Sequence, residues 1–132
     1  MKYGYTIGYV DNVVETITFY KKAFGFVQKF ITPENDYAEL MTGETTIAFA
    51  SISLGNSNLK KGLRSVSKSK KPFGLEMVFI AEHIERDFQK AIDAGALVYE
   101  PIAEKPWGQK VGYLLDNNGF LIEICTPMQS GS

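Results

Sequence analysis

Among the 132 residues there is one histidine and one cysteine. A zinc site built from His and Cys needs three or four ligands, so a single chain cannot assemble one. The same count excludes a disulfide framework and a Cys–Cys redox pair. Cys125 has no partner in the chain, which fits a reducing cytoplasm. Long apolar runs are also missing. No stretch approaches the roughly 20 residues of a membrane span, and the opening MKYGYTIGYVDNVVE reaches Asp11 before a signal-peptide core forms. The expectation is a cytoplasmic protein with no membrane partner. A net charge of -1 gives no general attraction to nucleic acid. The composition is 45% hydrophobic and 22% charged, that of a folded chain long enough to bury a core.

Acidic residues are absent from one stretch. Between Ser51 and Pro72 stand Lys60, Lys61, Arg64, Lys68, Lys70 and Lys71, with no Asp or Glu. Removing these six from the 14 basic residues leaves eight against 15 acidic ones in the rest of the chain. The stretch is rich in Ser and Gly and has no sustained period. It is expected to be a solvated loop, with a flap over an anionic ligand as the sharper alternative. It has no aromatics, so it does not read as a nucleic-acid stripe.

Either side of the loop the pattern repeats. Tyr3–Val10 is aromatic and β-branched and reads as a strand. Asp11 or Asn12 can cap a helix whose apolar stripe is Val13, Ile17, Tyr20 and Phe24, and Gly25 ends it. Strands at 26–31, 37–41 and 45–50 follow. In the second half a strand at 73–80 leads through His83 to a helix with apolar Ile84, Phe88, Ala91 and Ile92, closed by Gly95. Strands at 97–103, 109–115 and 119–125 follow, with Asp116-Asn117-Asn118-Gly119 as a turn. Each half is β-α-β-β-β, an internal duplication. The predicted fold is α+β: unit one at 3–50, the basic loop at 51–72 and unit two at 73–127, within a single domain. The two units would form a cupped mixed sheet with helices on its outer face and a concave surface for a ligand.

The run YVDNVVETITFYKKAFGF and the closing KPWGQKVGYLLDNNGFLIEICTP, on this duplicated plan, resemble the vicinal oxygen chelate superfamily: glyoxalase I, bleomycin and fosfomycin resistance proteins, and extradiol dioxygenases. The pattern is nearest the bleomycin-resistance-like branch. Metal-dependent members carry ligands on the first and last strand of each unit. Those positions fall here on Tyr5, Ala48, Glu76 and Glu123. Only the two glutamates match a ligand type, and His83 lies at a helix entrance instead. The resemblance therefore implies no cofactor, with a weakly held divalent metal as the exception.

Glu76 and Glu123 each interrupt a hydrophobic strand, where an unpaired carboxylate is costly. They either pair with a structural donor or serve a ligand, as a binding group or an acid–base pair. Glu39 lies opposite its apolar neighbours Ala38 and Leu40. Trp107, between Pro106 and Gly108, is either a core anchor or a stacking surface, and Tyr5, Tyr9, Tyr37 and Tyr113 could extend that wall. Cys125 lacks a neighbouring base and reads as an inert thiol. By resemblance, the chain is expected to be a homodimer that binds a small organic molecule without catalysis, sequestering a cationic aromatic drug or metabolite. The alternative is a glyoxalase-type lyase or isomerase, or a dioxygenase-like enzyme, using Glu76 and Glu123 with a weakly bound metal.

Overall fold

The computed structural model describes residues 1–128. It divides into two units, Met1–Ser65 and Val66 onward. In the first, β1 (Thr6–Val10) leads into α1 (Val13–Phe24), then β2 (Val27–Ile31), β3 (Tyr37–Met41), β4 (Thr46–Ser51) and α2 (Ile52–Asn58). The second runs β5 (Glu76–Ile80), α3 (Ile84–Asp93), β6 (Leu97–Glu104), β7 (Lys110–Leu115) and β8 (Leu121–Cys125). The strands make two four-stranded mixed sheets, one per unit, in the orders β1-β4-β3-β2 and β5-β8-β7-β6. The expected α+β duplication is present.

Local chemistry explains the elements. Asn12 caps α1 by accepting the Glu15 amide at 2.9 Å, and Gly25 closes it at φ 74°, the left-handed region. Val13, Ile17 and Tyr20 are buried as the stripe requires, and the Tyr20 and Phe49 rings pack at 4.7 Å between α1 and β4. In the second unit Ile84, Phe88 and Ala91 are the buried residues of α3. Gly112 lies beneath Phe88, where an added Cβ would come within 2.7 Å of the ring. Pro101 is tolerated because β6 is an edge strand with register shifts on both sides of Glu100.

Three expectations change. Residues 3–5 and 73–75 lie outside β1 and β5, which begin at Thr6 and Glu76. The basic stretch is not loop throughout, because α2 occupies Ile52–Asn58. Its sequence ISLGNSN is poor in helix formers, so tertiary packing decides. The Ser51 side chain caps α2 through the Leu54 amide, and Gly55 is buried against Tyr9 and Leu63. The six basic residues all follow α2 and are exposed.

The Asp116–Gly119 turn is built around one carboxylate. Asp116 is 0% exposed, and its Oδ1 accepts the amides of Asn118, Gly119 and Phe120, each at 2.8 Å. Gly119 adopts φ 106°, and a Cβ there would lie 2.6 Å from the Ser67 backbone. Asp116→Ala strands three amides and should lower the unfolding free energy by about 2–3 kcal/mol in urea titrations. Gly119→Ala should destabilise as well, through both the backbone conformation and the Ser67 contact.

Candidate functional site

In the second unit the register sets a group of polar side chains on one face of the sheet. Val78 pairs with Glu123 across β5 and β8, and Tyr113 pairs with Glu123 across β7 and β8. Directly paired residues share a face, and so do residues two apart on one strand. Glu76, Tyr113, Glu123 and Cys125 therefore share the face away from α3, whereas Ile122 and Ile124 are buried on the other side, beneath the helix.

Glu76 and Glu123 lie close enough on this face for their carboxyl groups to interact, and the interaction favours a proton on Glu76. Burial, then the hydrogen bond and negative charge of Glu123, raise Glu76 to about 7. Burial first, then the Glu123 charge, raises the Tyr113 hydroxyl. Burial and Glu123 likewise raise the Cys125 thiol, so it stays protonated and poorly nucleophilic. Among the described residues no Lys, Arg or His forms an ion pair with either glutamate.

The first unit uses the corresponding places differently. Ile7 and Glu39 both pair with Ala48, and Tyr37 pairs with Ala50. By register Tyr5 corresponds to Glu76, Ala48 to Glu123 and Glu39 to Tyr113. The Tyr37 hydroxyl donates to Glu39 Oε2 at 2.6 Å, and Lys29 Nζ lies 3.6 Å from Glu39 Oε1. Burial first, then the hydrogen bonds to Glu39 and Tyr5, raises the Tyr37 hydroxyl far above its ordinary range. The Phe30 ring stands 5.8 Å from Tyr37. Tyr5, Tyr37 and Glu39 thus form one cluster, balanced by Lys29.

Trp107 belongs elsewhere in the second unit. Lys110 and Gly112 alternate with Val111 and Tyr113 along β7, and Lys110 reaches Glu85 of α3 at 2.8 Å. That places Lys110 on the helix side. Here a cavity of about 730 Å³ is lined by Trp107, Lys110, Glu82, Glu85, Glu104 and Met128, among others, and by none of Glu76, Tyr113 or Glu123. Trp107 is 62% exposed, and its Nε1 donates to Gln109 Oε1 at 2.8 Å.

A glyoxalase-like domain family model matches residues 3–129. The chain belongs to that family. Solved structures named for the glyoxalase/bleomycin resistance/dioxygenase superfamily share its fold. A glyoxalase-related enzyme from Fulvimarina pelagi superposes with TM-score 0.82 at 16% identity, covering 96% of this chain and 88% of that one. A glyoxalase/bleomycin resistance protein/dioxygenase family enzyme from Burkholderia phytofirmans PsJN gives 0.74 at 20% identity, with 93% and 96% covered. TioX from Micromonospora sp. ML1 gives 0.72 at 16%, with 96% and 98% covered. At these identities the likeness is one of fold. No curated protein matches the sequence.

The residues at the glyoxalase-like family's ligand positions do not fit a divalent metal centre. Ala48 has no donor atom. The Tyr5 hydroxyl is engaged beside Tyr37, and burial together with Glu123 favours the protonated form of Glu76. Among the described residues no three or more His, Cys, Asp or Glu side chains are grouped to hold a metal. His83, at the N-cap of α3, makes no side-chain capping bond.

Two partners escaped sequence reasoning. Cys125 shares the face of Glu123, a placement that strand alternation signals. The acids around Trp107 come from α3 and the end of β6, and no local spacing joins them.

The carboxyl pair predicts a pH dependence. Folding raises Glu76 from 4.5 to about 7, so between those values the folded state holds more proton than the unfolded one. Stability should therefore fall as pH rises through that window. Solvent still reaches Glu76, so the slope should be shallow. In urea titrations from pH 4.5 to 8, Glu76→Gln should flatten it and be more stable than the parent at pH 8.

Proposed function

We propose that the protein binds a small organic cation, a drug or metabolite, without a metal, and protects by sequestration. The carrying observation is the Glu76–Glu123 pair, set on an open sheet face beside Tyr113 and ion-paired with no Lys, Arg or His among the described residues. A bound ammonium or amidinium group supplies the missing charge and displaces the proton on Glu76. Tyr113 adds a hydroxyl that hydrogen-bonds such a ligand. The superfamily names of the structural relatives, which include bleomycin resistance, support this reading.

Proton linkage tests it. Affinity for a cationic aromatic compound, measured by calorimetry, should rise with pH through about 7, because the cation prefers both carboxylates ionised. Glu123→Gln should weaken it about tenfold or more. Stoichiometric Ni, Zn or Mn in the purified protein, lost in Glu123→Gln, would overturn the metal-free reading.

A second reading is favoured by the same pair. A carboxyl group titrating near neutrality beside a second carboxylate suits proton transfer, as a glyoxalase-type isomerase or lyase requires. Turnover of the hemithioacetal of methylglyoxal and glutathione, abolished by Glu76→Gln, would select it.

The working assembly is a homodimer in the cytoplasm. The free thiol Cys125 is in keeping with that compartment. Edge strands β1 and β5 leave Ile7, Val78 and Ile80 exposed, which supports self-association. Ile80→Lys should convert the dimer to monomer in sedimentation velocity.

A further inference from the structure

We infer that the groove beside Trp107 is a second binding site, separate from the carboxyl-pair face, and that it takes a small organic cation bearing a quaternary or protonated amine. Its walls come from three segments of one unit: the entrance of α3, the β6–β7 hairpin and the chain leaving β8. Its volume, about 730 Å³, is that of a small-molecule site.

The charge arithmetic favours a cation. Glu82, Glu85 and Glu104 face the space with one basic residue, Lys110. Lys110 is committed to Glu85 at 2.8 Å, and the pairing lowers the Glu85 carboxyl and raises the Lys110 ammonium. Glu82 and Glu104 form no salt bridge among the described residues, although Glu104 is the cross-strand partner of Lys110 and adds to the pull on its ammonium. Three carboxylates against one ammonium still leave the groove net negative for an incoming charge.

Trp107 supplies the rest. Its one polar atom is satisfied by Gln109, whose Nε2 donates in turn to the Thr126 carbonyl at 2.7 Å. The indole is therefore tethered to the end of β8 rather than free to turn, and Gly108 at φ 94° forms the tight turn behind it. A tethered ring with 62% of its surface in water and no polar group left to satisfy is a preformed cation–π platform. Ile84, Pro127 and Met128 add apolar lining for the body of the ligand. A bare metal ion is less suited, since the donors are spread around a large space and no metal-holding group occurs among the described residues.

The test uses the full chain with choline and benzyltrimethylammonium as probes, and 3,3-dimethylbutanol as the uncharged isostere of choline. Trp107 is the sole tryptophan, so its fluorescence reports the groove directly. Both cations should perturb it saturably, and the neutral isostere should not. Titration calorimetry of Glu82→Gln/Glu104→Gln should show about threefold to tenfold weaker binding, and Trp107→Ala should lose it. Glu76→Gln should leave it unchanged, which separates this groove from the carboxyl-pair face. Absence of saturable binding, equal binding of the isostere, or loss in Glu76→Gln while the Glu82/Glu104 variant binds normally would each overturn the proposal.

Discussion

The parallel pairing of the first and last strands in each unit is the constraint on which the rest depends. A parallel connection needs a crossover, and the chain supplies α1 or α3 together with the two antiparallel strands before it returns. The return places residues far apart in sequence side by side, Val78 against Glu123 and Ile7 against Ala48. It also decides which face each side chain takes. A slip of one residue between β5 and β8 would alter the alignment of Glu76 with Glu123. The apolar residues beneath α3 resist such a slip, so the core fixes the geometry of the acidic face.

Much of this was legible because the sequence repeats its own signals. Helices α1 and α3 carry an apolar stripe of one spacing, α1 closes at Gly25 and α3 at Ala94 with Gly95 just after it, and the closing turn is marked by Asp116 and Gly119. Equivalent positions in the two halves could be aligned from the residue preceding each helix. In the strand register Ala48 stands opposite Ile7 as Glu123 stands opposite Val78, and Tyr5, just before β1, precedes Ile7 by the same two residues that separate Glu76 from Val78. What was not legible is physically different. Helix α2 rests on Ser51 as a cap and on the fit of Gly55 beneath Tyr9, neither of which shows as periodicity. The acids near Trp107 meet only when α3 and the β6–β7 hairpin come together. The sequence named Trp107 but not its neighbours.

The two units show how one scaffold holds different chemistry. In the first, Glu39 is bonded to Tyr37 and near Lys29, so its charge is answered inside the unit. In the second, the tyrosine stands at the place of Glu39, and both remaining positions hold carboxyl groups. Among the described residues no lysine forms an ion pair with them. Glu76 is then pushed up to about 7, so it is partly protonated near neutrality.

That uncompensated pair is the argument for function. A structural ion pair includes its cation, and a structural hydrogen bond needs no charge. Two adjacent carboxyl groups with no ion-paired cation among the described residues repel one another once both are ionised, which weakens the folded state above neutral pH. Groups whose titration is perturbed in this way are concentrated at binding and catalytic sites. For an acidic pair on an open sheet face, a ligand that brings positive charge or takes up a proton fits such a site. The same reasoning distinguishes the carboxyl-pair face from the Trp107 groove. At the groove Lys110 is paired with Glu85 and acted on by Glu104, and three carboxylates outnumber it, so an organic cation adds attraction there without competing for a proton.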